Sequence, residues 1–210
     1  MLALRNETAD HHRRAEQHEF QQQMVRGTLP EPLYIRWLGQ MLLVHSALEA
    51  HLDRLVTRDP VLGAVFDASR HKAPALRADL RHFKTGEDTT PLPAAKRLIE
   101  LFDRLSRERP RALLGALYVL EGSTNGSKFI ARRVRPAYGL PATGPGSAYL
   151  DPYGDLQPVR WQEFKAAMDA LDLPADDVAQ MTIAAQQTFD AIRELGADLL
   201  SVPATAAQPG

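Results

Sequence analysis

Two short stretches carry residues whose types and spacing could do chemistry. In "ETADHHRRAEQHEF" (residues 7–20), Glu16 follows His12 by one helical turn, so the two side chains share a helix face. A carboxylate there can accept a hydrogen bond from one imidazole nitrogen, fixing the tautomer and leaving the other nitrogen free to bind a metal. His11 points about 100° away around the helix and has Ala15 at the equivalent position, so His12 is the ligand candidate. The alternative is a solvated, charged helix face.

The second stretch is "YVLEGSTNGSKFIARRV" (residues 118–134), apolar at its start and basic at its end. Gly122 and Gly126 sit in its middle among Ser123, Thr124, Asn125 and Ser127. Each glycine costs about 1 kcal/mol relative to Ala in a helix interior. Ser, Thr and Asn add competing hydrogen bonds for the backbone. Four apart, the glycines open one helix face. Either a flat ligand approaches the backbone there, or a neighbouring helix packs closely into the gap. A kink would free carbonyls that the Ser, Thr and Asn side chains can answer or bridge with water.

Helices must position both groups, because apolar residues recur at three- and four-residue spacing nearly throughout. A first helix is expected over residues 2–18, with a continuation ending at Arg26-Gly27. Pro30 and Pro32 open a long helix whose apolar positions run from Leu33 to Leu55. A short helix near 61–67, "PALRADLRHF" and, after the break "GEDTTPLP", "AAKRLIELFDRLSRER" follow. Pro110 opens the helix holding the glycines. Residues 136–160, rich in Pro and Gly, are expected to be irregular, and two helices close the chain from 161 to 172 and from 175 to about 200. His45 falls on an apolar helix face, whereas His51, His71 and His82 read as surface or loop positions. No run alternates as a strand would. The expected fold class is all-α, a compact multi-helix bundle, with residues 1–200 as one domain and 201–210 as a flexible tail.

Composition excludes several functions. A net charge of -1 provides no global field for nucleic acid or an anionic membrane. With no cysteine, disulfides, thiolate metal sites and a cysteine nucleophile are out. Charges at Arg5 and Glu7 interrupt any signal-peptide core, and no apolar window is long enough to span a membrane, so a cytoplasmic location is expected. No H-E-x-x-H, paired Glu-x-x-His, G-x-S-x-G or P-loop pattern occurs.

Together the two stretches resemble the bacterial, biliverdin-producing heme oxygenases. His12, Ala15 and Glu16 match the spacing of that family's proximal-histidine motif, with Thr8 and Phe20 on its flanks. Glu121, Gly122, Ser123 and Gly126 match its distal motif, preceded by Tyr118 as in many members. Ser127 stands where the motif's last glycine is expected. "HSALEAHLDRL" looks like the family's second major helix, and "WQEFKAAMDALDL" and "AAQQTFDAIREL" look like its last two, so the likeness covers residues 2–195.

The resemblance implies a heme-oxygenase-like bundle with a kinked, glycine-containing distal helix. Heme would be both substrate and cofactor, its iron on His12, cleaved with oxygen to biliverdin, carbon monoxide and ferrous iron. The alternative it leaves is a carrier or sensor that holds heme without turnover. Arg5 and Lys165, with Arg160 as a neighbour, would lie near the heme carboxylates, and Phe189 against a heme edge. Ser123, Thr124 and Asn125 would organise water. Ser127 would narrow the pocket, redirect oxygen or join that water. Electrons would come from a separate ferredoxin, flavodoxin-like protein or NADPH reductase. Arg13, Arg14, Arg132, Arg133 and Arg135 could dock it, although basic residues favour helix C-termini without any partner. The product would pass to a biliverdin-using photoreceptor or belong to iron acquisition.

Overall fold

A computed structural model describes residues 1–88 and 90–201. The expected 201–210 tail thus lies, past Ser201, outside the described residues. Among these the chain is all helix and turn, with no strand. The helices are α1 (Leu2–Gln17), α2 (Glu19–Arg26), α3 (Glu31–Leu55), α4 (Pro60–Gly63), α5 (Ala73–His82), α6 (Pro93–Glu108), α7 (Leu113–Gly122), α8 (Thr124–Ala137), α9 (Gln157–Asp169) and α10 (Ala175–Ser201).

Local chemistry sets most boundaries. His18 leaves the helical region between α1 and α2 with φ -65° and ψ 139°, and its side chain caps α2 by accepting from the Phe20 N–H. Gly27 ends α2 in the left-handed conformation at φ 68°, which favours glycine. Asp59 caps α4 by accepting from the Val61 N–H. The short helix expected near 61–67 is only α4, followed by a 3₁₀ turn at Ala68–Arg70. α9 begins earlier than expected because Pro158 suits a first helical turn, and α8 runs through Pro136. The irregular stretch accordingly shrinks to 138–153.

The long α3 and α10 brace the interior, with Leu38, Leu42, Leu48 and Leu52 of α3 and Leu195 and Leu199 of α10 buried. Close helix packing uses glycines other than the pair in the distal motif. A Cβ on Gly115 of α7 would lie 2.0 Å from the Met181 carbonyl oxygen of α10. One on Gly196 would lie 2.9 Å from Phe20 Cβ. α10 is thereby pressed against α7 and α2. α1 lies along α10, and the start of α1 is tied to α9 by the Met1 ammonium, 2.8 Å from Asp169.

Candidate functional site

A cleft of about 1620 Å³ opens between α1, α2, the α7–α8 junction, α9 and α10. Its lining includes Arg5, His12, Ala15, Glu16, Tyr118, Gly122, Ser123, Gly126, Ser127, Lys165 and Phe189, so the fold brings all of these together. Trp37, Met41, Ile130 and Trp161 give the walls an apolar character.

On α1, His12 Nε2 lies 3.4 Å from Glu16 Oε1, as the one-turn spacing requires. The ring meets Phe189 of α10 edge to face, centroids 5.4 Å apart, which fixes its plane. His11 turns away and is held by Asp190 at 3.0 Å and Arg14 at 3.0 Å. The helical phase that separates adjacent residues thus puts one histidine in the cleft and the other among polar side chains on the α10 side.

The distal helix is interrupted at Ser123, which divides α7 from α8. Side chains answer the backbone there: Ser123 Oγ donates to Leu120 O at 2.7 Å, Thr124 Oγ1 to Glu121 O at 2.6 Å, and Asn125 Nδ2 to Gly122 O at 3.0 Å. Gln157 of α9 braces this turn by donating to Thr124 Oγ1 at 2.7 Å. A Cβ on Gly126 would meet nothing within 4 Å, and one on Gly122 would meet only the far edge of Trp161 at 3.4 Å. The glycines therefore face open cleft. Of the two readings the sequence left open, close helix packing fails.

Ser127 lines the cleft, but its hydroxyl hydrogen is directed at the backbone. Its hydroxyl donates to Leu150 O at 2.7 Å and leans toward Thr124 O at 3.3 Å, tying α8 to the loop after it. That loop is also anchored from within. The buried Asp79 of α5 accepts from the N–H groups of Gly146, Ala148 and Tyr149 at 2.7, 2.9 and 2.8 Å. Burial raises the Asp79 pKa despite these bonds.

Behind the cleft wall lies a polar cluster that the sequence did not announce. Glu121, almost wholly buried, pairs with Arg70 at 2.9 Å and Lys72 at 2.7 Å and accepts from Tyr153 OH at 2.8 Å. Burial lowers the Lys72 pKa against the pull of Glu121. Glu49 accepts from the Lys72 N–H at 2.6 Å and lies 3.5 Å from His45 Nδ1. His45 Nε2 shares a hydrogen bond of 2.9 Å with Tyr149 OH, and Tyr149 lines the cleft. His45 is buried as expected, and burial pulls its pKa down. Burial pushes the Tyr149 phenol up.

Two sequence readings need correction. His51 is buried rather than exposed and lies 2.7 Å from Asp103. His71 does stand in a loop, half-buried and 3.0 Å from Asp53. Arg160 does not join Lys165: it points to Ser69 and to Glu163, 3.0 Å away, because it falls on a different face of α9. Of the suggested basic surface, Arg135 is committed to Ser147 at 2.9 Å and Asp151 at 3.1 Å, and Arg13 to Asp10 at 2.6 Å. Arg132 and Arg133 line the cleft, Arg132 stacked over Phe129 at 5.4 Å.

Comparison with known proteins agrees with this fold. The heme oxygenase family model matches residues 1–198. Heme oxygenase 2 of Macaca fascicularis is 26% identical over 89% of this chain and 61% of its own, and heme oxygenase 1 of Homo sapiens is 25% identical over 70% and 53%. The chain thus spans about 60% of the length of the first of these relatives. Among solved structures, heme oxygenase from Leptospira interrogans superimposes with a TM-score of 0.84 at 23% identity, covering 93% of this chain and 97% of that one. Heme oxygenase-2 from Synechocystis, in complex with heme and NO, gives 0.87 at 21%, covering 94% and 84%. With the family model running over nearly its whole length and the same helical fold throughout, the chain belongs to the heme oxygenase family.

Proposed function

We propose that the protein cleaves heme with oxygen and external electrons to biliverdin, carbon monoxide and ferrous iron. The observation that carries this reading is the open space over Gly126 in an apolar cleft that also holds His12 and has cations at its edge. A flat ring with two carboxylates fits that combination. It needs backbone-close walls above and below, and positive charge at one edge.

Heme bound here would supply both the iron that activates oxygen and the carbon that is oxidised. The chain supplies position. His12 would bind iron as neutral imidazole, with Glu16 holding the other nitrogen and Phe189 holding the ring plane. Arg5 and Lys165 would take the carboxylates. Gly122 and Gly126 would let the distal backbone lie close to the ring, which restricts where a small diatomic ligand can lean. Ser123 spends its hydroxyl hydrogen on a backbone carbonyl and would keep lone pairs to accept from water, Asn125 would keep one amide hydrogen to donate to it, and Thr124, whose oxygen accepts from Gln157, would hold the turn in place. Tyr118, half-buried beside Trp161, closes one side of the cleft. Electrons come from a separate soluble donor, for which Arg132 and Arg133 at the cleft rim offer a positive approach.

Purified protein with hemin and a reductant in air is the test. A Soret band that forms and then decays into a broad absorption toward the red supports turnover. A Soret band that forms and persists makes the protein a carrier, and no Soret shift removes heme as its ligand.

A further inference from the structure

A second cationic end closes the cleft. Among the described residues, two buried side-chain polar atoms lack a hydrogen-bond partner, Ser46 Oγ and Arg193 Nε. A buried guanidinium N–H with no acceptor is an unmade bond that a ligand oxygen can satisfy. The outer nitrogen of Arg193 makes only a long contact of 3.4 Å with Glu194, a carboxylate already held by Arg97 at 2.7 Å. Arg193 lines the cleft together with His18, Arg132 and Arg133. His18 Nδ1 accepts from the Phe20 N–H, which leaves its Nε2 to donate. Gly196 presses α10 against His18, where a Cβ would come 3.1 Å from Nδ1, so the two residues are held together by backbone packing.

α1 and α10 run side by side in the same direction. Gln186 donates to Glu7 O at 2.9 Å, Phe189 meets His12, and Gly196 meets His18. At 1.5 Å rise per residue, Arg5 lies about 10 Å before His12 along the axis and His18 about 9 Å beyond it. His12 is therefore midway between two cationic ends, Arg5 with Lys165 at one and Arg193, with the neutral donor His18 beside it, at the other.

We propose that Arg193 is a second anchor for the ligand's carboxylates, so that heme occupies the cleft in two orientations. One puts its acidic edge toward Arg5 and Lys165 and the other toward Arg193. This rests on the heme reading above. Each orientation turns a different meso carbon toward the Gly122–Gly126 wall, so turnover yields two biliverdin isomers.

The test is proton NMR of the cyanide-ligated ferric complex, using a hemin with two-fold symmetry through its propionate edge. In that hemin a simple face flip is silent, and each set of heme-methyl resonances reports one orientation. Wild type gives two sets. Arg193→Leu and Arg193→Gln give one, Arg193→Lys keeps both, and the dimethyl ester of the same hemin gives one pattern in wild type and Arg193→Leu alike. Circular dichroism confirms that each variant folds, and the Gln variant serves if the Leu variant does not. A single set in wild type, or two unchanged sets in both Arg193→Leu and Arg193→Gln, overturns the proposal while leaving heme binding intact. No Soret shift in wild type overturns the heme reading and this inference with it.

Discussion

The Ser127 hydroxyl donates to the Leu150 carbonyl across 2.7 Å, joining the distal helix to the loop behind it. This bond makes the Ser127 side chain a tether between the two segments. Ser127→Ala removes the donor and leaves a carbonyl on the buried Leu150 unpaired, which costs about 1–3 kcal/mol. Ser127→Gly adds helix cost of about 1 kcal/mol. Urea unfolding should rank wild type above Ala above Gly. Equal midpoints would show that the bond contributes nothing.

Gly126 and Gly115 should respond in opposite ways to the same change. Gly126→Ala meets open space and improves helix propensity, so it should stabilise the free protein by about 0.5–1 kcal/mol. Gly126→Phe should fold normally and lose hemin binding. Gly115→Ala forces a Cβ to 2.0 Å from a backbone oxygen and should unfold readily. Thermal melts with a hemin titration separate the two. A destabilised Gly126→Ala would contradict the open-cleft geometry.

His12→Ala removes a side chain that is 55% exposed, so unfolding free energy should change by no more than about 0.5 kcal/mol. The absorption spectrum of bound hemin should nonetheless lose its histidine-ligated form, and added imidazole should restore it. An unchanged spectrum assigns the iron to another residue.

Glu121 is the one carboxylate that pairs with both buried cations, Arg70 and Lys72. Glu121→Gln removes that shared partner and leaves a net positive charge buried, a loss of about 3–5 kcal/mol and a melting drop on the order of 10 °C. A drop of a degree or two would mean that water reaches the cluster.

His45 sets the pH dependence. Burial holds its pKa below the ordinary 6.5, so the unfolded chain binds the extra proton first. Stability is therefore full above that value and falls as pH drops below it. Glu49, Lys72, Glu121 and Tyr149 are the polar groups around the ring, and none reverses this sign. Between pH 7.5 and 5.5 (the range in which about all of a His titration falls) wild type should lose more urea resistance than His45→Gln. Parallel profiles would contradict a neutral buried His45.

Much of this molecule was legible in local sequence. The helix order followed from three-and-four periodicity punctuated by Gly and Pro, and the break at Ser123 followed from small polar residues crowding two glycines. The choice of cleft wall over packing surface for Gly126 was not legible, because it depends on what α10 and α9 leave empty. Nor were the partners of Glu121 or the three N–H groups on Asp79, since each joins segments far apart in sequence. Arg160 and Lys165 show the same limit: both are basic and close in α9, and only the packed phase of the helix turns one to the cleft and the other to Ser69.

The most direct test of the central claim is carbon monoxide release. Protein loaded with one equivalent of hemin and supplied with reductant in air should release carbon monoxide in step with the loss of the Soret band, about one molecule per heme, while Gly126→Phe releases none. Loss of the Soret band with no carbon monoxide, or a Soret band that persists, would contradict it.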